Sequence, residues 1–190
     1  MDVWNAIKNR RSCRSFSPQP VSRELIEQIL EAAVWAPSPL NAQPWQFIVI
    51  TNSDRKTELI AEAQRCKEWA VAASGWKWLD KYSLAFLKDV PVFIAVIGDP
   101  QKSGVDMFQP EGPVAYQHAC AAAIQNMLLA AQTLDLGTLW FTLFEKDKMG
   151  QLLGIEAGKI PLALICLGHK AAEPPAAGRK NAALKTTFVD

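Results

Sequence analysis

Three arginines and a serine crowd into Arg10-Arg11-Ser12-Cys13-Arg14. A guanidinium is a planar fork of donors that matches phosphate oxygens, and several side by side repel one another unless an anion lies among them. A second string, Ala36-Pro37-Ser38-Pro39-Leu40-Asn41-Ala42-Gln43-Pro44-Trp45, displays Ser, Asn and Gln on a backbone stiffened by proline. At the other end of the chain, Arg179-Lys180 puts more positive charge into a tail with no other reason to be basic. A charged anchor beside a polar rim implies a site for a large phosphorylated cofactor. Each string alone also fits a plainer role. The arginines could be a solvated helix end. The loop could be an ordinary helix-to-strand connection, with Trp45 and Phe47 in the core and Asn41 and Gln43 satisfying turn backbone. Their joint presence favours binding.

The elements that must position these residues are legible in outline. Residues 2–9 can form a short helix with Val3, Trp4 and Ile7 on one face. Ser22 is a suitable N-cap for a helix carrying Leu25, Ile26, Ile29, Leu30 and Ala33 at helical spacing, ended by Pro37. Gln46 to Ile50 reads as a strand, and Asn52-Ser53-Asp54 opens another helix. Residues 65–89 look less regular, with Trp69, Trp76, Trp78, Tyr82 and Phe86 gathered around Ser74-Gly75. Those aromatics fit either burial in an amphipathic helix or a lid whose faces stack on a planar substrate.

Pro91 to Ile97 reads as a buried strand and 101–112 as a polar loop. A long Ala-rich helix follows from Pro113 to about Leu134, its small residues implying close helix contact in the core or across a dimer axis. His118 on that helix reads as a packed core or interface histidine. Leu136 to Thr142 and Pro161 to Gly168 read as strands, with a helix from Lys146 to Leu153 between them, stopped by Gly154. Residues 170–190 read as an extended arm that orders only if something receives it. Helices and strands without strict alternation point to an α+β fold rather than a doubly wound sheet.

Bulk properties narrow the class. A chain of 190 residues fits a single domain, 1–190, with 49% apolar and 21% charged residues. A net charge of +1 gives no global field for nucleic acid or an anionic membrane. Cys13, Cys66, Cys120 and Cys166 are scattered, with only two histidines, so neither a metal site nor a disulfide framework is indicated. No G-x-G-x-x-G or Walker loop follows a strand. The N-terminal residues lack the pattern of a signal peptide and no stretch is long enough to span a membrane, so the expected location is cytoplasmic.

Arg10-Arg11-Ser12-x-Arg14-x-Phe16 followed by Ala36-Pro37-Ser38-x-x-Asn41-x-Gln43-Pro44-Trp45-x-Phe47 resembles the flavin-dependent nitroreductase family. Ala123-Ile124-Gln125-Asn126-Met127-Leu128-Leu129-Ala130-Ala131, Leu136-Gly137-Thr138-Leu139-Trp140 and Leu152-Leu153-Gly154-Ile155 extend the likeness. So does Pro161 to His169, with His169 where a Tyr is commoner. The resemblance spans nearly the whole chain and is weakest over 62–112, the expected variable substrate region.

The resemblance implies a central, mainly antiparallel sheet flanked by helices, in an intertwined homodimer that holds FMN at the subunit interface. Carried over by position, Arg10, Ser12 and Arg14 would hold the phosphate and ribityl chain, with Arg11 near the polar edge of the ring. Arg179, helped by Lys180, would close the phosphate site. Pro37, Ser38 and Pro39 would approach the flavin from the other subunit, with Asn41 and Gln43 shaping the interface. Trp140, Phe141 and Thr142 would lie beside the ring, Thr142 as a partner for flavin N5; a strand-end Thr bonded to backbone is the alternative. Trp69, Trp76, Trp78 and Phe86 are the candidate substrate contacts.

No protein side chain need be a nucleophile or general base on this reading, because the flavin performs the chemistry. NADH or NADPH would be the transient donor in a ping-pong cycle. A nitroaromatic, quinone or activated alkene would be the acceptor. The competing readings are a flavin carrier without turnover, and a dehydrogenase or flavin destructase on the same scaffold.

Overall fold

The computed structural model describes residues 2–189. Four antiparallel strands form one sheet in the order β1-β2-β4-β3: β1 (Trp45–Ile50), β2 (Val92–Gly98), β3 (Leu136–Phe141) and β4 (Ile160–His169). This is the α+β arrangement expected from the sequence. Alternation along β2 sends side chains to opposite faces, and both faces are covered. Val92, Ile94 and Val96 pack with α2 (Arg23–Val34) and α5 (Ala115–Thr133). Phe93, Ala95 and Ile97 belong to a second core that includes Leu59 and Ala63 of α3 (Ser53–Ser74) and Met149 of α6 (Lys146–Leu153). With two buried faces, β2 is apolar throughout rather than alternating.

Helix boundaries follow their capping residues. The Ser22 hydroxyl accepts from the Leu25 amide at 3.4 Å, opening α2. The Asn52 side chain accepts from the Arg55 amide at 2.9 Å, opening α3. α6 ends at Gly154, where the sequence places its stop. The alanines of α5 serve close packing: Ala119, Ala123 and Ala131 are buried, and Asn126 donates to the Ala32 carbonyl of α2 at 3.0 Å.

Three expectations need correcting. Residues 65–74 are not irregular: α3 continues through them to Gly75, which closes the helix at φ 65°, a left-handed angle that suits glycine. The short α4 (Lys77–Asp80) and a 3-10 turn over Ala85–Asp89 follow. Nor does a helix bury the tryptophans. Trp69, Trp76 and Trp78 are 66%, 55% and 62% exposed in the chain, and Trp76 and Trp78 face each other at 5.6 Å between ring centroids. His118 is likewise exposed in the chain, which removes the core half of its core-or-interface reading.

The stretch read as a polar loop, 101–112, collars the start of α5. Asp106 Oδ2 accepts from the amides of Val114 and Ala115 at 2.8 and 2.7 Å. The Ser103 hydroxyl accepts from the Tyr116 amide at 3.1 Å. These are amides that have no partner within the helix itself, so a distant segment supplies the cap. The Ser103 hydroxyl, ahead of the two backbone amides, holds the Asp106 carboxyl below its ordinary pKa.

Candidate functional site

The arginine string begins where α1 (Val3–Asn9) stops, and its backbone is tied to the sheet. The Cys13 amide donates to the Thr138 carbonyl at 2.8 Å, on the edge strand β3. Further on, the Ser17 amide donates to His169 and the Ala171 amide to Ser15, each at 2.9 Å. Residues 12–17 thus run from the β3 edge to the end of β4. The close approach depends on Gly137, where a Cβ would lie 2.7 Å from Cys13 Sγ and 2.9 Å from Cys13 Cβ. Cys13 and Phe16 point into the second core, while Arg14 is left exposed.

The arginines then part into different environments. Arg10 is half-buried; burial, followed by the like charges of Arg179 and Arg11, draws its pKa below the ordinary arginine value. Arg179, from the other end of the chain, is thus one of the charges that Arg10 feels. Arg179 donates from Nη1 to the Ala177 and Gly178 carbonyls at 3.2 and 3.0 Å. Arg11 curls back on its own helix end, donating from Nη1 to the Lys8 and Arg10 carbonyls at 2.7 and 2.8 Å, and its buried Nε has no partner.

Arg14 reaches a different segment altogether. Its Nε donates to Tyr82 Oη at 2.8 Å, and its guanidinium carbon stands 5.7 Å from the Tyr82 ring centroid. Among the described residues, no carboxylate pairs with Arg10, Arg11, Arg14 or Arg179. Ser12 is half-buried beside them, bridged to Thr138, and Lys180 is exposed. Arginines without a paired carboxylate suit an anion, and a phosphate fits their donors.

The proline loop is built differently from the sequence expectation. Its turn is closed by Ser38, whose hydroxyl accepts from the Gln43 amide at 3.0 Å. Asn41 and Gln43 do not satisfy the turn backbone; instead Gln43 Nε2 donates to Asn41 Oδ1 at 3.3 Å. Leu40, Asn41 and Gln43 all take left-handed angles, φ 52°, 54° and 48°. For a residue such as Leu or Gln this costs about 1 kcal/mol or more, so the fold holds the loop in a shape its residues do not favour. Leu40 is displayed at 84% exposure. No hydrogen bond among the described residues joins this loop to the arginines of its own chain.

β3 ends in the third part of the site. Phe141 is buried, whereas Trp140 is 39% exposed and Thr142 is exposed. The Thr142 carbonyl accepts from the Phe144 amide at 3.0 Å, but its hydroxyl makes no hydrogen bond among the described residues, against the expectation of a strand-end Thr bonded to backbone. Beyond it, a cavity of about 300 Å³ is lined by Arg65, Cys66, Trp69, Phe144 and Glu145. Of the four aromatics expected at the substrate, only Trp69 lines it. Phe86 packs against Tyr82 instead, at 6.4 Å between ring centroids.

A buried carboxylate anchors this region. Glu62 on α3 accepts from Arg65 Nε and Nη2 at 2.7 and 2.9 Å and from the Glu145 amide at 2.9 Å. The Arg65 side-chain bond, foremost, holds the Glu62 carboxyl below its ordinary pKa.

The sequence profile of the nitroreductase family matches residues 7–169, which includes the end of α1, every strand and the arginine string. The chain belongs to the nitroreductase family. It is similar to a provisionally named NADH dehydrogenase/NAD(P)H nitroreductase of Methanothermobacter thermautotrophicus. That protein is 34% identical over 92% of this chain and 80% of its own length. A 5,6-dimethylbenzimidazole synthase of Rhodospirillum rubrum is 28% identical over 87% of this chain and 81% of its own. Among solved structures, a provisionally named nitroreductase of Desulfovibrio desulfuricans in complex with FMN superposes with a TM-score of 0.72. It is 31% identical and the match covers 97% of this chain and 95% of that one.

Within this chain, sequence reasoning singled out the arginines and Thr142 but missed Tyr82, the Ser103–Asp106 collar and Glu62. Tyr82 was visible only as one aromatic among five. Glu62 and Arg65 stand at i and i+3, a pairing signal that the irregular reading of the segment hid. Among the described residues there is no metal-ligating cluster, and no helix is long and apolar enough to cross a membrane.

Proposed function

We infer that this chain is an FMN-dependent oxidoreductase passing electrons from NADH or NADPH to an electron-poor acceptor. The observation that carries the reading is the run Arg10, Arg11 and Arg14 at the end of α1, whose like charges repel and with which no carboxylate among the described residues pairs. A phosphate dianion relieves that repulsion, and Ser12 adds a hydroxyl donor beside it. Arg10, Ser12, Arg14, Arg179 and Lys180 are the residues that would hold the FMN phosphate and ribityl chain. Arg11 is folded onto its own backbone through Nη1, and its Nε is buried.

When bound, FMN supplies a ring that takes hydride from a nicotinamide at N5 and yields electrons to a second molecule. The protein's part is to bind, orient and tune. Thr142, just past the end of β3, has a hydroxyl that bonds nothing among the described residues and is the candidate donor to N5. The strained loop Pro37–Gln43 rests on its own chain through Pro39, beside Gly104, but displays Pro37, Leu40, Asn41 and Gln43 to the outside. It fits a role across a homodimer interface, where Pro37, Ser38 and Pro39 of one copy would border the flavin of the other. Exposed Trp4 and Leu40, at 62% and 84%, favour the same burial. Trp69 and its cavity are the candidate acceptor site. Nitroaromatics, quinones and activated alkenes are the acceptor classes that such a planar aromatic wall suits.

The test is anaerobic reduction of the purified protein. Yellow protein bleached by NADH or NADPH, then restored by a nitroaromatic or quinone, is the expected result. Yellow protein that no nicotinamide reduces would assign a carrier, or a dehydrogenase or destructase on this scaffold. Colourless protein that takes up no added FMN would overturn the reading altogether.

A further inference from the structure

Arg14 is an exposed side chain whose Nε is bonded to Tyr82 Oη at 2.8 Å, from a segment that the sequence suggests is a lid. An unrestrained exposed arginine samples many rotamers, and freezing them on an anion weakens binding. Here Nε is already engaged and the guanidinium lies over the Tyr82 ring at 5.7 Å. Neither Nη group has a hydrogen-bond partner among the described residues, and the two are the pair a bidentate grip on phosphate oxygens needs.

Tyr82 is itself held in place. Its amide donates to the Leu79 carbonyl at 3.1 Å, its ring packs edge-on against Phe86, and Leu79, Leu84 and Leu87 around it are buried. We propose that Tyr82 is a positioning residue for the cofactor's phosphate, acting through the Arg14 guanidinium. The proposal rests on the reading that the arginine cluster holds the FMN phosphate. It adds that the variable segment 77–89, beyond any contact with substrate, sets how tightly a phosphorylated flavin is held.

The experiment compares two ligands that differ only in the phosphate. Full-length protein stripped of flavin is titrated with FMN and with riboflavin, by flavin fluorescence quenching, in wild type, Tyr82→Phe, Arg14→Ala and the double variant. Phenylalanine keeps the ring and removes only the hydroxyl. Losing one orienting hydrogen bond is expected to raise the Kd for FMN about three- to tenfold and to leave that for riboflavin unchanged. In the Arg14→Ala background the effect of Tyr82→Phe on FMN should vanish. Equal weakening of both ligands, no change in either, or an undiminished effect without Arg14 would overturn the proposal. Wild-type protein that binds riboflavin as tightly as FMN would instead refute the phosphate reading beneath it.

Discussion

Removing the Glu62 carboxylate should both destabilise the fold and loosen the end of β3. Glu62 is only 6% exposed, and one of its oxygens accepts from the Glu145 amide, three residues after Thr142. In Glu62→Ala that amide loses its acceptor, and a hydrogen bond to a charged group contributes about 1.5–3 kcal/mol. Arg65 keeps a second partner in Glu145 Oε2 at 2.6 Å, and its side chain is 46% exposed, so the broken ion pair adds little. A net loss of about 2 kcal/mol would lower Tm by about 4–8 °C in a chain of this size.

The pH dependence carries its own sign. Folding lowers the Glu62 pKa, so the stabilisation is complete above the unfolded carboxyl's value of about 4.3 and fades as pH falls through the lower folded value. Thermal melts of wild type and Glu62→Ala between pH 3 and 8 should differ most at neutral pH and converge in acid. A difference that is constant across pH, or that grows in acid, would refute the reasoning.

Gly137→Ala should cost about 1–3 kcal/mol, because its Cβ would meet Cys13 at 2.7 Å, and the displaced arginine segment should also lose flavin; urea melts and the flavin-to-protein absorbance ratio check both. Asp106→Ala should fray the start of α5, seen as faster amide exchange at Val114 and Ala115, with protection unchanged at the far end of the helix. Thr142→Ala should leave Tm unchanged, since the hydroxyl bonds nothing among the described residues, while shifting the reduction potential of the bound flavin; an unchanged potential would remove Thr142 from the site.

Legibility in the sequence tracked how local each signal is. α2 and α6 were readable because Ser22 and Gly154 act within a turn of their own helices. α3 was truncated because its second half turns aromatic and polar faces to solvent, which erases the apolar period, even though Asn52 and Gly75 bracket it correctly. The collar over α5 was hidden for a related reason: Asp106 caps amides eight and nine residues away, beyond any capping-box spacing. At the site, residue types suggested an anion, but only the folded structure shows that Arg179 bears on the charge of Arg10. Nothing in a tyrosine's position foretold that Tyr82 would take the Nε of Arg14. The exposure of the tryptophans ran against composition, since large aromatics are usually buried.

The most direct measurement is flavin affinity as a function of the phosphate group in wild type, Arg10→Ala and Arg179→Ala. Charge-assisted hydrogen bonds to phosphate predict that each alanine weakens FMN about tenfold or more while barely affecting riboflavin. Full FMN retention in both variants, or equal loss of the two flavins, would contradict the account.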